Sequence, residues 1–390
     1  MVLVIDASNI RGGGGVTHLV ELLKASDPVK HGFHKVYLCS GQATLNRIEE
    51  QTWLVKYYQP ILDRGLIHRV LWQFLDLGKL LKKVQCDLLF VPGGTYFGNF
   101  RPFATMSQNL LPFEFKELGR YGFSKMALKL LILRFTQSIT FKKSNGIIFL
   151  TNFSKAVVMK VAGLKSGVFA TIPHGINQHF ERIPKRQKPI DEYSIENPYR
   201  ILYVSSVDVY KHQWHVINAI SLLRDRKFPV TLDLVGPAEP SPLQKLKKSM
   251  HESDPDGLYI FYHGPLPYQV LNEIYAKADL GLFASSCETF GQIVTEAMSA
   301  GLPLACSRLS AMPEVLGDAG LYFHPEKPEE IAGAIQSLIE SPTMREKKAE
   351  EGFIRSKSYS WYRAGTDTFD FLAKVSQIYY ETREKKYPLG

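Results

Sequence analysis

Short runs of aliphatic and β-branched residues alternate with amphipathic stretches along most of the chain. In the C-terminal half, apolar runs such as 230–235 and 279–284 are each followed by a stretch of helical periodicity. The N-terminal half repeats this order, with an apolar run at 2–5, a glycine run at 12–15 and a helix predicted over 16–24. Buried strands that alternate with helices are typical of parallel sheets covered on both faces. The pattern therefore predicts an α/β protein with two Rossmann-like, doubly wound domains that face each other across a cleft.

A polar, proline-rich segment at 179–198 separates the two halves and shows no periodicity, which is typical of a linker. We therefore expect an N-terminal domain at 1–178 and a C-terminal domain at 199–360. Residues 361–390 are predicted to form a C-terminal helix that packs back toward the first domain. Ligands of open parallel sheets bind at the carboxyl ends of the strands, so the cleft is the expected site.

The composition is that of an ordinary folded protein with a basic surplus. Hydrophobic residues make up 45% and charged residues 22% of the 390 residues, which excludes disordered, collagen-like and coiled-coil proteins. Lys and Arg number 47 against 38 Asp and Glu, a formal net charge of +9. Such a surplus fits a phosphate, a nucleic acid or an anionic membrane surface as partner. No aromatic and basic reading surface of a nucleic-acid-binding module is present in the sequence, so nucleic acid is not expected.

The cysteines and the apolar runs predict where the protein resides. The four cysteines lie in or beside apolar runs without a C-x-x-C pair, which is typical of reduced, buried thiols. The first six residues carry no basic region of a signal peptide and predict a strand. The most apolar helical stretch, 126–135, contains two cations and is too short to span a bilayer. We expect a cytoplasmic protein, or one that is peripheral on the inner face of the membrane.

The glycine run at 12–15 lies between a predicted strand and a predicted helix. Glycines permit positive φ angles and leave backbone N–H groups open to an anion at the helix N-terminus. The run lacks the third glycine of G-x-G-x-x-G, and no acidic residue follows the second strand, so a dinucleotide site is not expected. Taken alone, the run also fits a flexible loop without a ligand.

Two carboxylates stand eight residues apart in the C-terminal half. Glu288 falls at a predicted strand-to-helix turn and Glu296 two turns into the helix, so both can face the cleft. Carboxylates accept hydrogen bonds from sugar hydroxyls, and the N–H groups of Phe290 and Gly291 at the helix start can bind phosphate. Taken alone, the pair also fits a helix-terminal charge and a solvated helix face.

The surroundings of these carboxylates closely resemble the E-x7-E signature of the retaining nucleotide-sugar glycosyltransferases of family 4, which have the GT-B fold. Other segments follow in the family's order: the glycine run, Ile-Pro-His-Gly-Ile-Asn at 172–177, the strand 201–204 that leads into Lys211, and Ala-Met-Pro-Glu-Val at 311–315. The resemblance covers the C-terminal half well and the N-terminal half weakly. In style, the motifs look like those of bacterial surface-polysaccharide and O-antigen transferases.

This resemblance implies a role for each matching residue. Glu288 would hold the hydroxyls of the donor sugar beside the reacting carbon, and Glu296 would hold the ribose of the nucleotide. Lys211 and the N–H groups of Phe290 and Gly291 would stabilise the leaving diphosphate, because preorganised donors lower the barrier where negative charge develops. Family members of this type need no metal, and the resemblance implies no cofactor besides the nucleotide sugar.

The resemblance also implies site residues in the N-terminal half, and at two positions this sequence differs from the family pattern. Gly14 and Gly15 would approach the diphosphate from the N-terminal domain. Ser206 stands where the family usually has an arginine, so one diphosphate cation is missing. Gln108, followed by Asn109, stands in place of the family's His-Asp pair; an amide can bind a sugar but cannot take a proton at pH 7. Because of these two differences, an inactive nucleotide-binding protein of the same fold remains an alternative interpretation.

Several histidines and a D-x-D sequence are further candidates for binding or catalysis. His174, in the 172–177 segment, is a candidate residue of the cleft. His212 and His215 lie three residues apart without a third ligand nearby in the sequence, so we expect packing rather than metal binding. The D-x-D sequence at 254–256 is expected to form a surface turn, and Lys245 is a second candidate for contact with the diphosphate.

Cations cluster in one helical region of the N-terminal half, interleaved with Leu, Ile and Phe. They are Lys116, Arg120, Lys125, Lys129, Arg134, Lys142 and Lys143. The region resembles the interfacial helix by which such enzymes meet an anionic leaflet and a lipid-linked acceptor. The alternative is an ordinary amphipathic helix with its apolar face on the sheet and a solvated basic face.

Together these features predict a retaining, metal-independent transferase. It would move a hexose from GDP-mannose or a UDP-sugar to a lipid-linked or polysaccharide acceptor. A transferase that uses a soluble acceptor and an inactive scaffold protein of the same fold are the alternatives.

Overall fold

The structure, a computed structural model, describes residues 1–386. The chain folds into two compact units. Unit 1 comprises Met1–Leu118, Gly122–Gly175 and the residues from Ser360 onward, and unit 2 comprises Gly119–Tyr121 and Ile176–Tyr359.

Unit 1 is built on a seven-stranded sheet in the order β3-β2-β1-β4-β5-β6-β7. Its strands are β1 (Val2–Asp6), β2 (Lys35–Cys39), β3 (Leu54–Tyr57), β4 (Leu88–Val91), β5 (Phe103–Ser107), β6 (Gly146–Phe149) and β7 (Val168–Thr171). Every neighbouring pair is parallel. Its helices are α1 (Gly13–Lys24), α2 (Gln42–Leu45), α3 (Leu66–Leu75), α4 (Leu77–Lys83), α5 (Phe115–Gly119, whose last residue belongs to unit 2), α6 (Lys125–Lys143) and α7 (Asn152–Ala162).

Unit 2 is built on a six-stranded parallel sheet in the order β10-β9-β8-β11-β12-β13. Its strands are β8 (Tyr199–Val204), β9 (Val230–Val235), β10 (Ile260–Tyr262), β11 (Leu280–Phe283), β12 (Leu304–Ser307) and β13 (Gly320–Phe323). Its helices are α8 (Gln213–Asp225), α9 (Pro240–Ser253), α10 (Leu271–Lys277), α11 (Gln292–Ser299), α12 (Met312–Leu316), α13 (Pro328–Glu340) and α14 (Pro342–Ser356). The predicted fold class, two doubly wound α/β units, is confirmed.

The long final helix, α15 (Trp361–Lys386), belongs to unit 1. It packs against α1 and against β4, β5 and β6. The side chains of Phe371 and Val375 approach the backbone so closely that a Cβ atom at Gly146 would overlap them. Glycine at the start of β6 therefore lets this helix lie directly on the sheet.

β3, β5 and α14 occupy stretches for which the sequence pattern predicted no element. β5 is buried at every position, yet it contains Thr105 and Ser107, which break the apolar run that predicts a buried strand. The Thr105 hydroxyl donates to the Val91 carbonyl at 2.8 Å. Its polar group is thus satisfied only once β5 lies beside β4, and sequence periodicity does not report such a contact.

The proline-rich segment before β8 belongs to unit 2 and is fixed to it by side-chain hydrogen bonds. Lys185 Nζ donates to Asp279 Oδ1 at 2.9 Å. The fully buried guanidinium group of Arg345 donates to the side-chain oxygen of Gln187 at 3.1 Å and to the Lys188 carbonyl. Because a buried arginine must find acceptors, this stretch is held against α14 although it lacks regular structure.

No helix within residues 1–386 is both long enough and apolar enough to cross a membrane.

Candidate active site

A carboxylate–ammonium pair lies beyond the carboxyl ends of β8 and β11. Lys211 follows β8, Glu288 follows β11, and Lys211 Nζ donates to Glu288 Oε1. Their side chains are only 9% and 16% exposed, respectively. The turn that carries Glu288 is fixed by Ser310, whose hydroxyl accepts from the Glu288 N–H at 2.8 Å and donates to the Glu288 carbonyl at 2.9 Å. The fold thus joins two of the sequence-predicted site residues that are 77 positions apart.

Lys211 is held in its charged form. Burial lowers the pKa of the ammonium group, but the negative charge of Glu288, with Tyr203 and the hydrogen bond to Glu288, outweighs burial and leaves the pKa above its ordinary value. Nζ lies 4.9 Å from the centre of the Tyr210 ring and 5.2 Å from that of Phe283. The Tyr203 hydroxyl donates to the Lys211 carbonyl at 2.7 Å, so the backbone is fixed as well. A positioned cation is therefore present at neutral pH.

The N-terminus of α11 lies just after this pair. The sequence predicted a helix from about residue 290, but α11 begins at Gln292 because Gly291, its N-cap, has φ +85°. The Met312 side chain fills the space that a Cβ atom at Gly291 would need, so packing as well as backbone conformation requires glycine. Phe290 is buried, with its ring 5.3 Å from that of Tyr359. Gly291 has no side chain that could cap this helix end, and the positive dipole there favours an anion.

Glu296, in the second turn of α11, is buried rather than solvated. It is 2% exposed, and its two oxygens accept from the hydroxyls of Tyr268 and Tyr275 at 3.4 and 3.3 Å. Burial raises the pKa of the Glu296 carboxyl to about 8, against the smaller lowering effect of these two hydrogen bonds. At pH 7 this group is mostly protonated and can both donate and accept a hydrogen bond. The two tyrosines were not predicted, because an aromatic residue in a helix carries no sign of the group that it will contact.

Ser206 is exposed and lies between β8 and α8. Gln213, the first residue of α8, donates its amide to the Ser206 carbonyl and to the Ser205 hydroxyl, both at 2.9 Å. Lys245, the second diphosphate candidate, lies with Nζ 3.6 Å from the centre of the Trp214 ring. The structure therefore holds Lys245 on the face of an indole, whereas Lys211 is held by Glu288.

In unit 1, the glycine run forms the first turn of α1 rather than a loop before it. Gly12 is the N-cap and α1 begins at Gly13. A Cβ atom at Gly14 would meet no atom within 4 Å among the described residues, whereas one at Gly15 would lie 3.5 Å from the Gln108 side-chain oxygen. Gly15 and Gln108, both predicted site residues, are thus neighbours at the carboxyl ends of β1 and β5.

The amides after β5 are engaged by the backbone of unit 1. Gln108 Nε2 donates to the Pro92 carbonyl at 3.2 Å, beyond the end of β4. The Asn109 side-chain oxygen accepts from the Leu111 N–H at 3.1 Å and so closes a local turn. Gln108 is oriented by this contact, while Asn109 stabilises the chain that follows β5.

His174 lies in a buried cluster of unit 1. It is 7% exposed, with its Nδ1 atom 2.8 Å from Nδ1 of His18 in α1 and its ring centre 5.8 Å from that of Trp361. Burial, and then the neighbouring His18, hold the pKa of His174 well below its usual range, and burial lowers the pKa of His18 to about 4. Both imidazoles are therefore neutral at pH 7.

The remaining candidates have structural partners. His212 is fully buried, and its Nε2 atom lies 2.9 Å from the Ser286 hydroxyl. The Asp254 carboxylate accepts from the backbone N–H groups of residues 258–260 at 2.8–2.9 Å, so it closes the turn after α9. Among residues 1–386, no group of three or more His, Cys, Asp or Glu residues is arranged to hold a metal ion.

Comparisons with known proteins relate this geometry to a family. Residues 198–341 match the family model of glycosyl transferases group 1. The chain is 26% identical to the O-antigen chain mannosyltransferase B of Escherichia coli over 230 residues, which are 57% of this chain and 59% of that protein. The match thus spans less than two thirds of that relative's own length.

Solved structures resemble the chain over nearly its whole length. Anabaena Alr3699/HepE in complex with UDP and glucose superposes with a TM-score of 0.69 at 17% identity, covering 96% of this chain and 100% of the other. Sucrose-phosphate synthase from Thermosynechococcus elongatus superposes with a TM-score of 0.72 at 16% identity, covering 99% and 100%. The protein therefore has the GT-B fold, and the expected resemblance to GT-B glycosyltransferases is confirmed.

Proposed function

We propose that this protein is a retaining glycosyltransferase that moves a hexose from a nucleoside diphosphate sugar to a lipid-linked or polysaccharide acceptor without a metal ion. The observation that carries the proposal is the Lys211–Glu288 pair beside the N-terminus of α11. The match of residues 198–341 to glycosyl transferases group 1 supports it. The proposed donor is GDP-mannose or a UDP-sugar.

In this proposal the unit 2 residues stabilise the leaving group. Breaking the bond between the sugar and the diphosphate leaves negative charge on the phosphate oxygens. In the proposed mechanism, Lys211 and the N–H groups of Phe290 and Gly291 receive that charge, and preorganised donors of this kind lower the barrier. Glu288 accepts hydrogen bonds from the sugar hydroxyls and shares Lys211 with the diphosphate. Ser206 supplies a neutral hydroxyl at the edge of this group.

The other candidates complete the binding of the donor and the acceptor. The Glu296 carboxyl binds the ribose hydroxyls, since it can both donate and accept at neutral pH. Gly14 and Gly15 offer backbone N–H groups to the diphosphate. Gln108 orients the sugar through its amide but takes no proton, so the leaving phosphate accepts the proton of the acceptor hydroxyl. The proposed reaction therefore needs neither a protein base nor a cofactor.

A panel of UDP- and GDP-sugars tests this function on the full chain. The proposal predicts that one nucleotide series releases nucleoside diphosphate slowly with water and faster with a saccharide acceptor. Silence across the whole panel would overturn it and favour an inactive nucleotide-binding protein of the same fold.

The acceptor side of the proposal includes an anionic membrane surface at α5 and α6. Half or more of each of several large apolar side chains there faces solvent instead of the sheet: Phe115, Phe123, Leu128, Ile132 and Phe135. α6 contains five cations and no Asp or Glu. Of the predicted basic cluster, Arg120 belongs to unit 2, where it forms an ion pair with Glu326 at 2.6 Å. Exposed apolar residues flanked by cations are typical of interfacial helices.

We expect the protein to bind vesicles that contain phosphatidylglycerol at low salt and to leave them at high salt. The double variant Lys125→Gln, Lys129→Gln should bind about thirtyfold more weakly, at about 1 kcal/mol for each lysine. Lys82→Gln, Lys83→Gln, an exposed pair in the same unit, is the matched control. Co-sedimentation measures retention, and equal retention on neutral phosphatidylcholine vesicles would contradict the membrane role.

A further inference from the structure

Two guanidinium groups meet the loop that follows β1 in unit 1. Arg11, directly before the glycine run, donates from Nη1 to the Arg64 carbonyl and from Nη2 to the Asp63 carbonyl, both at 3.0 Å. Arg69, in α3, donates from Nη1 to the Ser8 carbonyl at 3.0 Å. Each arginine is thus held in place by neutral backbone oxygens.

Neither arginine has an ion-pair partner among residues 1–386. The Asp63 carboxylate is already engaged, with its oxygens accepting from the Gln42 N–H at 2.9 Å and the Tyr58 hydroxyl at 2.8 Å. Asp6, the other nearby carboxylate, is buried and accepts from the Gln73 amide at 2.5 Å. The charges of Arg11 and Arg69 are therefore not neutralised by a carboxylate in contact with them.

Two like charges held close together raise the free energy of the folded unit. Arg69 Nη1 donates to the Ser8 carbonyl and to the Asn9 side-chain oxygen, three and two positions before Arg11 in the same loop. Burial and then the charge of Arg11 lower the pKa of Arg69, against the smaller opposing effect of Asp6. The Nε–H of Arg69 is buried and has no hydrogen-bond partner among the described residues, although buried donors are usually satisfied. An anion with several oxygens removes the first of these defects, because guanidinium groups match phosphate in shape and charge.

We propose that Arg11 and Arg69 bind a phosphate group of the acceptor. The inference rests on the proposed function and names the acceptor class, a saccharide that carries a phosphate or diphosphate. The phosphate of a soluble sugar phosphate and that of a diphosphate-linked lipid share this chemistry. The exposed apolar side chains of the adjoining helix α3, namely Leu66, Ile67 and Leu71, favour the lipid as the source.

Calorimetric titration with inorganic pyrophosphate tests the site on the full chain. The protein carries Lys211→Ala, so that the cation of the proposed donor site does not contribute. We expect Arg11→Gln in this background to weaken binding about tenfold or more, since a charge-assisted contact is lost. Arg11→Lys, which keeps the charge but not the planar fork, should lose only part of this affinity.

Arg47→Gln is the matched control, because Arg47 is an exposed arginine of the same unit and belongs to neither the proposed donor site nor the proposed anion site. Three results would overturn the proposal. Arg11→Gln could bind pyrophosphate as tightly as the Lys211→Ala background, Arg47→Gln could lose as much affinity as Arg11→Gln, or the Lys211→Ala protein could fail to bind pyrophosphate. Arg11 is exposed and should be replaceable without unfolding, which a thermal unfolding scan checks.

The source of the phosphate is decided with phosphatidylcholine vesicles that contain a polyprenyl diphosphate. If Arg11→Gln is no longer retained on these vesicles while Arg47→Gln is, the result supports the site with a lipid as the source of the phosphate. If the protein binds pyrophosphate but is not retained on these vesicles, the result supports the site with a soluble source. If the donor panel is silent while Arg11-dependent binding persists, the proposed function fails and the anion site stands. If donor turnover is intact and Arg11-dependent binding is absent, only the site fails.

Discussion

Replacing Glu288 by Gln should lower the rate of sugar transfer at least about a hundredfold, or about 2.7 kcal/mol in the barrier. The carboxylate is proposed to hold the sugar hydroxyls and to orient Lys211, and an amide of the same shape carries no charge for either task. The Gln oxygen can still accept from Lys211, so the largely buried ammonium group keeps a partner. We therefore expect kcat to fall with little change in the donor KM.

The choice of Gln rather than Ala follows from the structure. The Glu288 side chain is paired with the largely buried Lys211. Ala would leave that charge unpaired and would mix a loss of stability with the loss of function. Glu350→Gln, an exposed glutamate of the same unit, is the matched control. Turnover of Glu288→Gln equal to that of this control would contradict the role of Glu288.

Replacing Glu296 by Gln should stabilise the protein at neutral pH while weakening nucleotide binding. Burial raises the pKa of this carboxyl to about 8, against 4.5 for an exposed glutamate. Between these values the folded protein keeps a proton that the unfolded chain has lost. The free energy of unfolding therefore falls as the pH rises, by at most about 1.4 kcal/mol per pH unit. Gln does not titrate, so the variant escapes this loss.

The measurement is the free energy of unfolding of both proteins by urea, from about pH 5 to about pH 8. The advantage of Glu296→Gln should grow over this range and level off above it, because the folded protein then loses the same proton. Affinity for nucleoside diphosphate should fall in the same variant, which is the trade-off expected of a binding residue kept at a cost in stability. A curve parallel to that of the wild type would show that Glu296 is not the titrating group. Glu350→Gln should give such a parallel curve.

The fold was predictable because most strands consist mainly of apolar and β-branched residues. β1 and β9 lie at, or within one residue of, the ranges that the pattern indicated, since aliphatic residues dominate both. β5 was missed because Thr105 and Ser107 interrupt its apolar run, and the Thr105 hydroxyl finds its hydrogen bond only in the assembled sheet. The start of α11 was misplaced by two residues because the positive φ angle that makes Gly291 the N-cap is a conformation that glycine permits but its local sequence does not reveal.

The candidate site was predictable in its residues but not in its contacts. Glu288 and Lys211 were identified through the family resemblance, but their pairing depends on the order of β8 and β11 in the sheet, which neither local sequence reports. The burial of Glu296 depends on Tyr268 and Tyr275, which lie before β11 in the sequence. The Arg11–Arg69 site depends on where α3 lies against the end of β1, so no spacing in the sequence indicates it.

The central claim is that the carboxyl end of the unit 2 sheet binds a nucleoside diphosphate through Lys211. Its most direct test is calorimetric titration of UDP and of GDP into the wild type, Lys211→Ala and the control Lys247→Ala, an exposed lysine of the same unit. We predict that the wild type and the control bind one of the two nucleotides with equal affinity. Lys211→Ala should bind it at least about tenfold more weakly, because a charge-assisted contact is lost and the Glu288 carboxylate is left to repel the diphosphate. Failure of the wild type to bind either nucleotide, or unchanged affinity in Lys211→Ala, would contradict the claim.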